Sequence, residues 1–377
     1  MDPLGPAVAP LSEDADALLH RIAESAAQTD RDGVPRSTID TLANHGLLGA
    51  PLEPQDRQRE LGERLAMTDA SVWFCWTQHF GCMRTLAHSQ VGEFSPNVRG
   101  LQDTWSTGLT SGAYLGALAF AHVRRPGPPN PVAERTSGGW IVTGRLDWLT
   151  SWDIADVVMV MVRGSGDWVD HFITFYLPAG NTPATLPRGM TVGEPLQLLA
   201  MGGTHTRPIT FDDVLIDDAC VAAVQPVAPW FERDHRTTSD ATPAAFGLIR
   251  GAVAELTSLA GRPGCTELAE ELIVLGRDLR TRAYALADAD ADPEDRRTVR
   301  AAALDLAARA AQAVVIARSG GAMLTGTSAE RRVREAMFLQ VQAQTSDLRT
   351  AQLRVIRTAL GADSATPATV SMRTTQE

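Results

Sequence analysis

The chain has 377 residues, a formal net charge of -11 and a hydrophobic fraction of 44%. All 34 basic residues are arginine and no lysine occurs, which excludes a pyridoxal-phosphate Schiff base, a lysine aldolase and a P-loop lysine. The acidic balance argues against nucleic acid or an anionic membrane as partner, since both attract basic surfaces.

Residues 1–12 read as a loose Pro-containing tail, without the basic and apolar stretches of a signal peptide. A reduced cytoplasmic enzyme is the expectation. Residues 13–29 carry Ala15, Leu18, Leu19, Ile22 and Ala23 on one helical side. Pro35, Arg36 and Ser37 open a second helix that Gly46 closes. Asp56 to Met67 predicts a charged helix, and Asp69 to Leu86, with Trp73, Phe74, Trp76 and Phe80, a buried one. His79, Cys75 and Cys82 are expected in its core. With Cys220 and Cys265 they form no C-x-x-C pair, so neither a zinc ribbon nor a redox pair is expected.

The uncharged span Gly108 to Val123 is too rich in Thr, Ser and Gly for a membrane helix and reads as buried strand and loop. From about residue 103 to 220, Gly, Pro and Thr punctuate short apolar runs. Trp140 to Gly144, Ala155 to Val162, Phe172 to Leu177 and Pro208 to Ile216 read as strands. Beyond Pro226, Ala-rich helical patterns cover 241–260, 266–288, 294–317 and 328–361, with Gly320 and Gly321 between the last two. The acidic stretch from Asp288 to Asp295 lacks calcium-loop spacing and reads as a solvated connection, and the tail from Gly361 as frayed. Strands segregated between helical segments give an α+β arrangement.

Several strings, in order, resemble the acyl-CoA dehydrogenase superfamily of flavoproteins. Gly139-Trp140-Ile141-Val142-Thr143-Gly144-Arg145-Leu146-Asp147-Trp148-Leu149-Thr150-Ser151 is similar to the family's G-x-x-x-x-G-x-K-x-W-I-T-N, and Ala155-Asp156 continues the match. The resemblance implies that Trp148, Thr150 and Ser151 contact the flavin. An indole suits the ring face, and hydroxyl or amide groups suit its edge. Thr110, in Gly108-Leu109-Thr110-Ser111-Gly112, resembles the threonine of A-L-T-E-P. Phe211 to Ile216 resembles F-D-D-V-x-V. Gly320-Gly321 resembles Q-I-x-G-G, Arg262 the pyrophosphate arginine of R-x-x-F-G, and Thr345-Ser346 the hydroxyls of I-Y-E-G-T-S-E-I. Thr110, Arg262, Gly320, Gly321, Thr345 and Ser346 are therefore expected, with Trp148, Thr150 and Ser151, to bind FAD or FMN. The family's architecture implies an N-terminal helical domain (1–102), a central β-barrel-like domain (103–225) and a C-terminal four-helix bundle (226–377). It also implies a homodimer or homotetramer in which a partner subunit completes the flavin site.

One departure bears on the chemistry. The glutamate of I-Y-E-G removes the α-proton of an acyl thioester, and Ala343 stands at that position. Losing a positioned base costs on the order of 10²–10⁴ in rate. Some members carry the base on an earlier bundle helix, near His235 and Asp240 here. A second branch resembles flavin monooxygenases, which receive reduced flavin from a separate reductase and use oxygen. That chemistry favours a dry, apolar pocket over an acid–base pair. Asp240 and His205, the latter on a loop that approaches flavin and substrate in the superfamily, are the candidate catalytic residues. The reading is a flavin-dependent oxidoreductase of specialised metabolism, with C- or N-hydroxylation of a small molecule ahead of dehydrogenation of a CoA- or carrier-bound acyl group. A descendant that has lost flavin is the third alternative. No metal is expected.

Overall fold

A computed structural model describes residues 4, 5, 11–49, 55–182 and 185–361. Helices α1 (Glu13–Asp32), α2 (Arg36–Asn44), α3 (Gln55–Thr68), α4 (Ala70–His88) and α5 (Val98–Ser111) come first. The β-strands follow as β1 (Gly116–Ala119), β2 (Val132–Thr136), β3 (Gly139–Leu149), β4 (Val157–Gly164), β5 (His171–Pro178), β6 (Met190–Val192), β7 (Arg207–Asp217) and β8 (Val221–Pro226). The chain then returns to helices α6 (Val227–Thr237), α7 (Pro243–Ser258), α8 (Cys265–Asp288), α9 (Pro293–Arg318), α10 (Ser328–Val341) and α11 (Ser346–Ala359). This is the helices, sheet, helices order expected of the α+β fold.

The differences from the sequence reading are local. In α1, Ala26 is buried and Ala23 exposed, because the apolar stripe drifts along the 3.6-residue repeat. Val98 to Ser111 is a helix, so Gly108 to Ser111 are not strand or loop. Gly112, left-handed at φ 79°, ends that helix. The single helix read over 328–361 is two, interrupted at residues 342–345. Leu4 and Gly5 are packed in place, whereas the rest of the expected tail up to residue 10, and the tail beyond Gly361, lie outside the described residues.

The sheet runs β6-β7-β3-β2-β4-β5-β8, with β1 parallel to β4. Leu146 pairs with Ile209 but Leu149 pairs with Arg207, so β3 carries an extra residue near its end. Such a bulge re-aims side chains. Helix α4 starts on Asp69, whose carboxylate accepts from the Ser71 and Val72 amides, and packs between sheet and bundle. Its Trp76 indole donates to the Leu47 carbonyl at 2.7 Å. Helix α9 contacts α7, α8, α10 and α11 and is the centre of the bundle. At Gly247 a Cβ would sit 2.3 Å from the Glu63 carbonyl oxygen, so only glycine lets α7 lie this close to α3.

The α3–α7–α8 contact also buries charge. Glu63, fully buried, takes Arg250 at 3.0 Å, Arg280 at 3.2 Å and the Tyr284 hydroxyl at 2.6 Å. Glu60 takes Arg250 at 3.1 Å. Arg250 and Arg280 also donate to the Gly5 carbonyl, which staples the N-terminal segment to the bundle. A buried pair is held by its geometry, and losing one partner leaves the other stranded. Glu63→Ala is accordingly expected to cost about 3–5 kcal/mol in urea unfolding. A loss below about 1 kcal/mol, typical of exposed pairs, would contradict this account of the contact.

Candidate active site

Two cavities meet where sheet and helices join. The larger, about 660 Å³, is walled on the sheet side by Leu118 of β1 and Phe120 and Ala121 after it, by Trp148 and Thr150, and by the loop from Leu198 to Thr206. Its helical wall is Phe74, Thr77 and Gln78 of α4, Met337, Phe338 and Val341 of α10, and the turn residues Gln342 and Ala343. Phe74 meets Phe338 edge-on at 4.9 Å and ties the two helices together. The smaller cavity, about 410 Å³, lies between α3, α4, α7, α8 and α9, with Trp73, Trp76, Phe80, Asp240, Thr242 and Arg300 in its wall. Thr77, Gln342 and Ala343 line both.

The bulge in β3 leaves the Trp148 indole 53% exposed between the fully buried Leu149 and the half-buried Asp147. An exposed indole on a cavity wall is a surface for a planar ring. Behind it the hydroxyls of Thr150, Thr206 and Thr204 form a chain at 3.4 and 2.8 Å, which ends on the Met201 carbonyl at 2.7 Å. Ser151, Met201 and His205 all hold left-handed backbone, with φ of 68°, 64° and 50°. Hydrogen bonds over-determine those conformations. The Ser151 amide donates to Thr204 and the Trp152 amide to His205. Strain held this way concentrates at binding sites. A Cβ on Gly203 would lie 2.5 Å from the Thr29 carbonyl oxygen, so glycine allows the loop to seat against α1.

Ionisable groups are sparse in the larger cavity. Among the described residues its wall has Arg124 alone, and that guanidinium is committed to Asp234 at 2.8 and 2.5 Å. The junction residue Ala343 has a left-handed φ of 49°, and the Gln342 carbonyl before it accepts from Arg300 at 2.9 Å. No proton acceptor stands at position 343.

The sequence-derived candidates separate into groups. Trp148 and Thr150 line the larger cavity, and Ser151 is buried directly behind it. Asp240 lines the smaller cavity, where Arg296 holds its carboxylate at 2.9 Å. Burial raises the Asp240 pKa, with Arg296 opposing. His205 lies outside both linings. Its Nε2 donates to the Val34 carbonyl at 2.9 Å, and its Nδ1 is 3.5 Å from Asp153. Burial would raise Asp153, but hydrogen bonds from His205 and Arg207 outweigh it and hold the carboxyl below its ordinary value. That arrangement fastens the loop.

Thr110 lies exposed near the end of α5 and outside both linings. The strand that reaches the cavity begins only at Gly116, so the wall positions are Leu118, Phe120 and Ala121. Arg262 donates to the Ala317 carbonyl. Gly320 and Gly321 sit in an exposed turn. The Thr345 hydroxyl caps α11 by accepting from the Leu348 amide at 3.2 Å, and Ser346 begins that helix. All five lie outside the two linings.

His79 is fully buried and its Nδ1 accepts from the Gly116 amide at 3.1 Å. Burial pushes its pKa down to about 4, so it is a neutral core residue. The Cys75 thiol is pushed up to about 12 by burial. Among the described residues no cluster suits a metal ion, and no helix is long and apolar enough to cross a membrane.

The cavity walls α4 and α10 are locked by a buried acidic pair. Glu335 accepts from the Ala70 amide at 3.4 Å and meets Arg331 at 3.2 Å, beside the Asp69 cap. Burial raises Asp69 to about 6 and Glu335 to about 7, with arginine partners opposing. A carboxyl raised on folding contributes stability at low pH and loses it as pH rises through the folded value. Chemical denaturation between about pH 5 and pH 8 should therefore show stability falling more steeply in the parent chain than in Glu335→Gln. Equal slopes would remove Glu335 as the titrating lock.

This arrangement is that of the acyl-CoA dehydrogenase fold. Butyryl-CoA dehydrogenase from Megasphaera elsdenii superposes with a TM-score of 0.71 at 18% identity, over 93% of this chain and 99% of that one. Glutaryl-CoA dehydrogenase from Mycobacterium smegmatis, solved with FADH2, gives 0.72 at 15% identity over 96% and 98%. KijD3, solved with FMN and a dTDP-linked amino keto sugar, gives 0.71 at 19% identity over 94% and 96%. No family model and no curated protein matches the sequence.

Proposed function

We propose that this chain is a flavin-dependent oxidoreductase of specialised metabolism that oxygenates a small molecule. The observation that carries this reading is the placement of Ala343 at the junction of two cavities, the larger of which offers a ring-sized apolar space and no proton acceptor. The fold neighbours solved with FADH2 and with FMN support a flavin as the occupant.

The residues fit such a ring. The Trp148 indole would cover one face, and Thr150 with the hydroxyl chain behind it would meet a polar edge. FAD or FMN would supply the redox step, with reduced flavin delivered by a separate reductase and oxygen as co-substrate. Thr77, Gln342 and Ala343 then separate the ring from a substrate in the smaller cavity. Phe74, Phe120 and Phe338 would give the ring an apolar surround, which protects reactive species better than an acid–base pair would.

The remaining candidates, Arg262, Gly320, Gly321, Thr345 and Ser346, are assigned to the flavin of a second copy of the chain. Exposed Ile316, Met323, Leu324 and Leu360 would belong to the bundle face for that contact, in a homodimer or homotetramer. Asp240 is the residue that would serve a dehydrogenase with a relocated base, since it is the carboxylate in the smaller cavity's wall. Its ion pair with Arg296 argues against a free base.

Two measurements test the reading. Equilibrium titration with FAD and FMN, oxidised and reduced, should show binding that Trp148→Ala weakens about tenfold, the loss of one aromatic stacking partner. Anaerobic incubation of the flavin-loaded chain with a panel of acyl-CoA thioesters should leave the flavin oxidised. Bleaching by an acyl thioester would overturn oxygenation in favour of the dehydrogenase, and an absence of flavin binding in either redox state would overturn both.

A further inference from the structure

Arg300, on α9, lines the smaller cavity and is 3% exposed. Its two Nη atoms donate to the carbonyls of Thr238 and Gln342, at 2.5 and 2.9 Å. Its Nε is buried without a hydrogen-bond partner, and among the described residues the guanidinium forms no ion pair. Three further charged side chains share this wall. Arg59 is held bidentately by Asp288, Asp240 is held by Arg296, and Arg84 donates to the Phe80 carbonyl with its guanidinium over the Phe80 ring. Burial, with the like charge of Arg124 second, lowers the Arg300 pKa to about 10, and Asp240 opposes only as the third contribution. Carbonyl oxygens satisfy hydrogen bonds but do not neutralise a buried cation.

Other features of the cavity have the same sign or suit the same occupant. Helix α7 directs its N-terminus at the wall through Thr242 and Pro243, and the Thr242 hydroxyl makes no capping bond. A helix N-terminus favours an anion. Trp73, Trp76 and Phe80 provide an apolar wall beside these groups. One buried guanidinium without an ion pair, set beside aromatic walls, matches one carboxylate on a short hydrocarbon stem better than a strongly hydrated polyanion.

We propose that the smaller cavity is an anion-accepting substrate pocket, in which Arg300 is the counter-ion to a carboxylate carried on an apolar stem. This assigns the substrate class as small carboxylic acids or acids retaining a free carboxylate. The assignment builds on the smaller cavity being the substrate side, and the two fail separately. Flavin binding is read from visible absorbance, whereas anion binding is read by calorimetry on the full flavin-free chain.

Hexanoate, hexanamide and inorganic phosphate are the probes. Hexanoate should bind about tenfold tighter than hexanamide, the difference made by one charged hydrogen-bonding partner. Arg300→Met should bring hexanoate to the level of the amide. Because Arg300 also holds two carbonyls, a variant distant from that role is needed in case Arg300→Met does not fold. Asp240→Asn removes a repelling charge from the cavity wall and should raise the preference for hexanoate over hexanamide about threefold. Equal binding of hexanoate and hexanamide, or a hexanoate preference surviving in Arg300→Met, overturns the counter-ion. A hexanoate preference over hexanamide that is unchanged or smaller in Asp240→Asn does the same. Phosphate binding as tightly as hexanoate overturns the apolar stem.

Discussion

The chemistry open to this chain is governed by how it distributes charge. Thirty-four arginines serve a chain without lysine, and the structure spends several of them on paired, buried contacts between helices. The larger cavity, by contrast, has one ionisable wall residue among those described, already bound to Asp234. Its wall is mostly apolar, with the hydroxyls of Thr150, Thr204 and Thr206 on one side, which suits a planar ring with a polar edge.

The backbone cooperates with that distribution. Left-handed residues at 151, 201, 205 and 343 cluster around the cavities; Ser151 and His205 are held by bonds to other segments, Met201 by Thr204 of its own loop, and the residue before Ala343 by Arg300. The loop before β7 is fixed to the end of β3, to α1 and to the segment before α2, so its position does not wait for a ligand. The turn at residues 342–345 is fixed by Arg300 on one side and the Thr345 cap on the other. A binding surface built from such pieces is preorganised.

Much of this could be read from the sequence where the local pattern is strong. The indole and hydroxyls of Trp148 and Thr150 sit in a string whose spacing fixes a strand and its end. The aromatic helix α4 declared its burial, and the missing carboxylate at Ala343 followed from an ungapped string. Thr110 stands near the end of a helix that its Thr-, Ser- and Gly-rich surroundings conceal in the sequence. The stretch that reaches the cavity, Leu118 to Ala121, carries an apolar pattern indistinguishable from ordinary core. His205 carried no local mark of the Val34 carbonyl it fastens, a partner 171 residues away. Arg300 was invisible for a related reason: in a chain rich in arginine, only packing distinguishes a buried unpaired cation from the solvated ones.

The most direct measurement is a crystal structure of the chain grown or soaked with FAD or FMN. The account requires isoalloxazine density in the 660 Å³ cavity, stacked on Trp148, with the Ala343 methyl between the ring and the smaller cavity. Ring density elsewhere, or the cavity filled by Trp148 and its neighbours at saturating flavin, would contradict it.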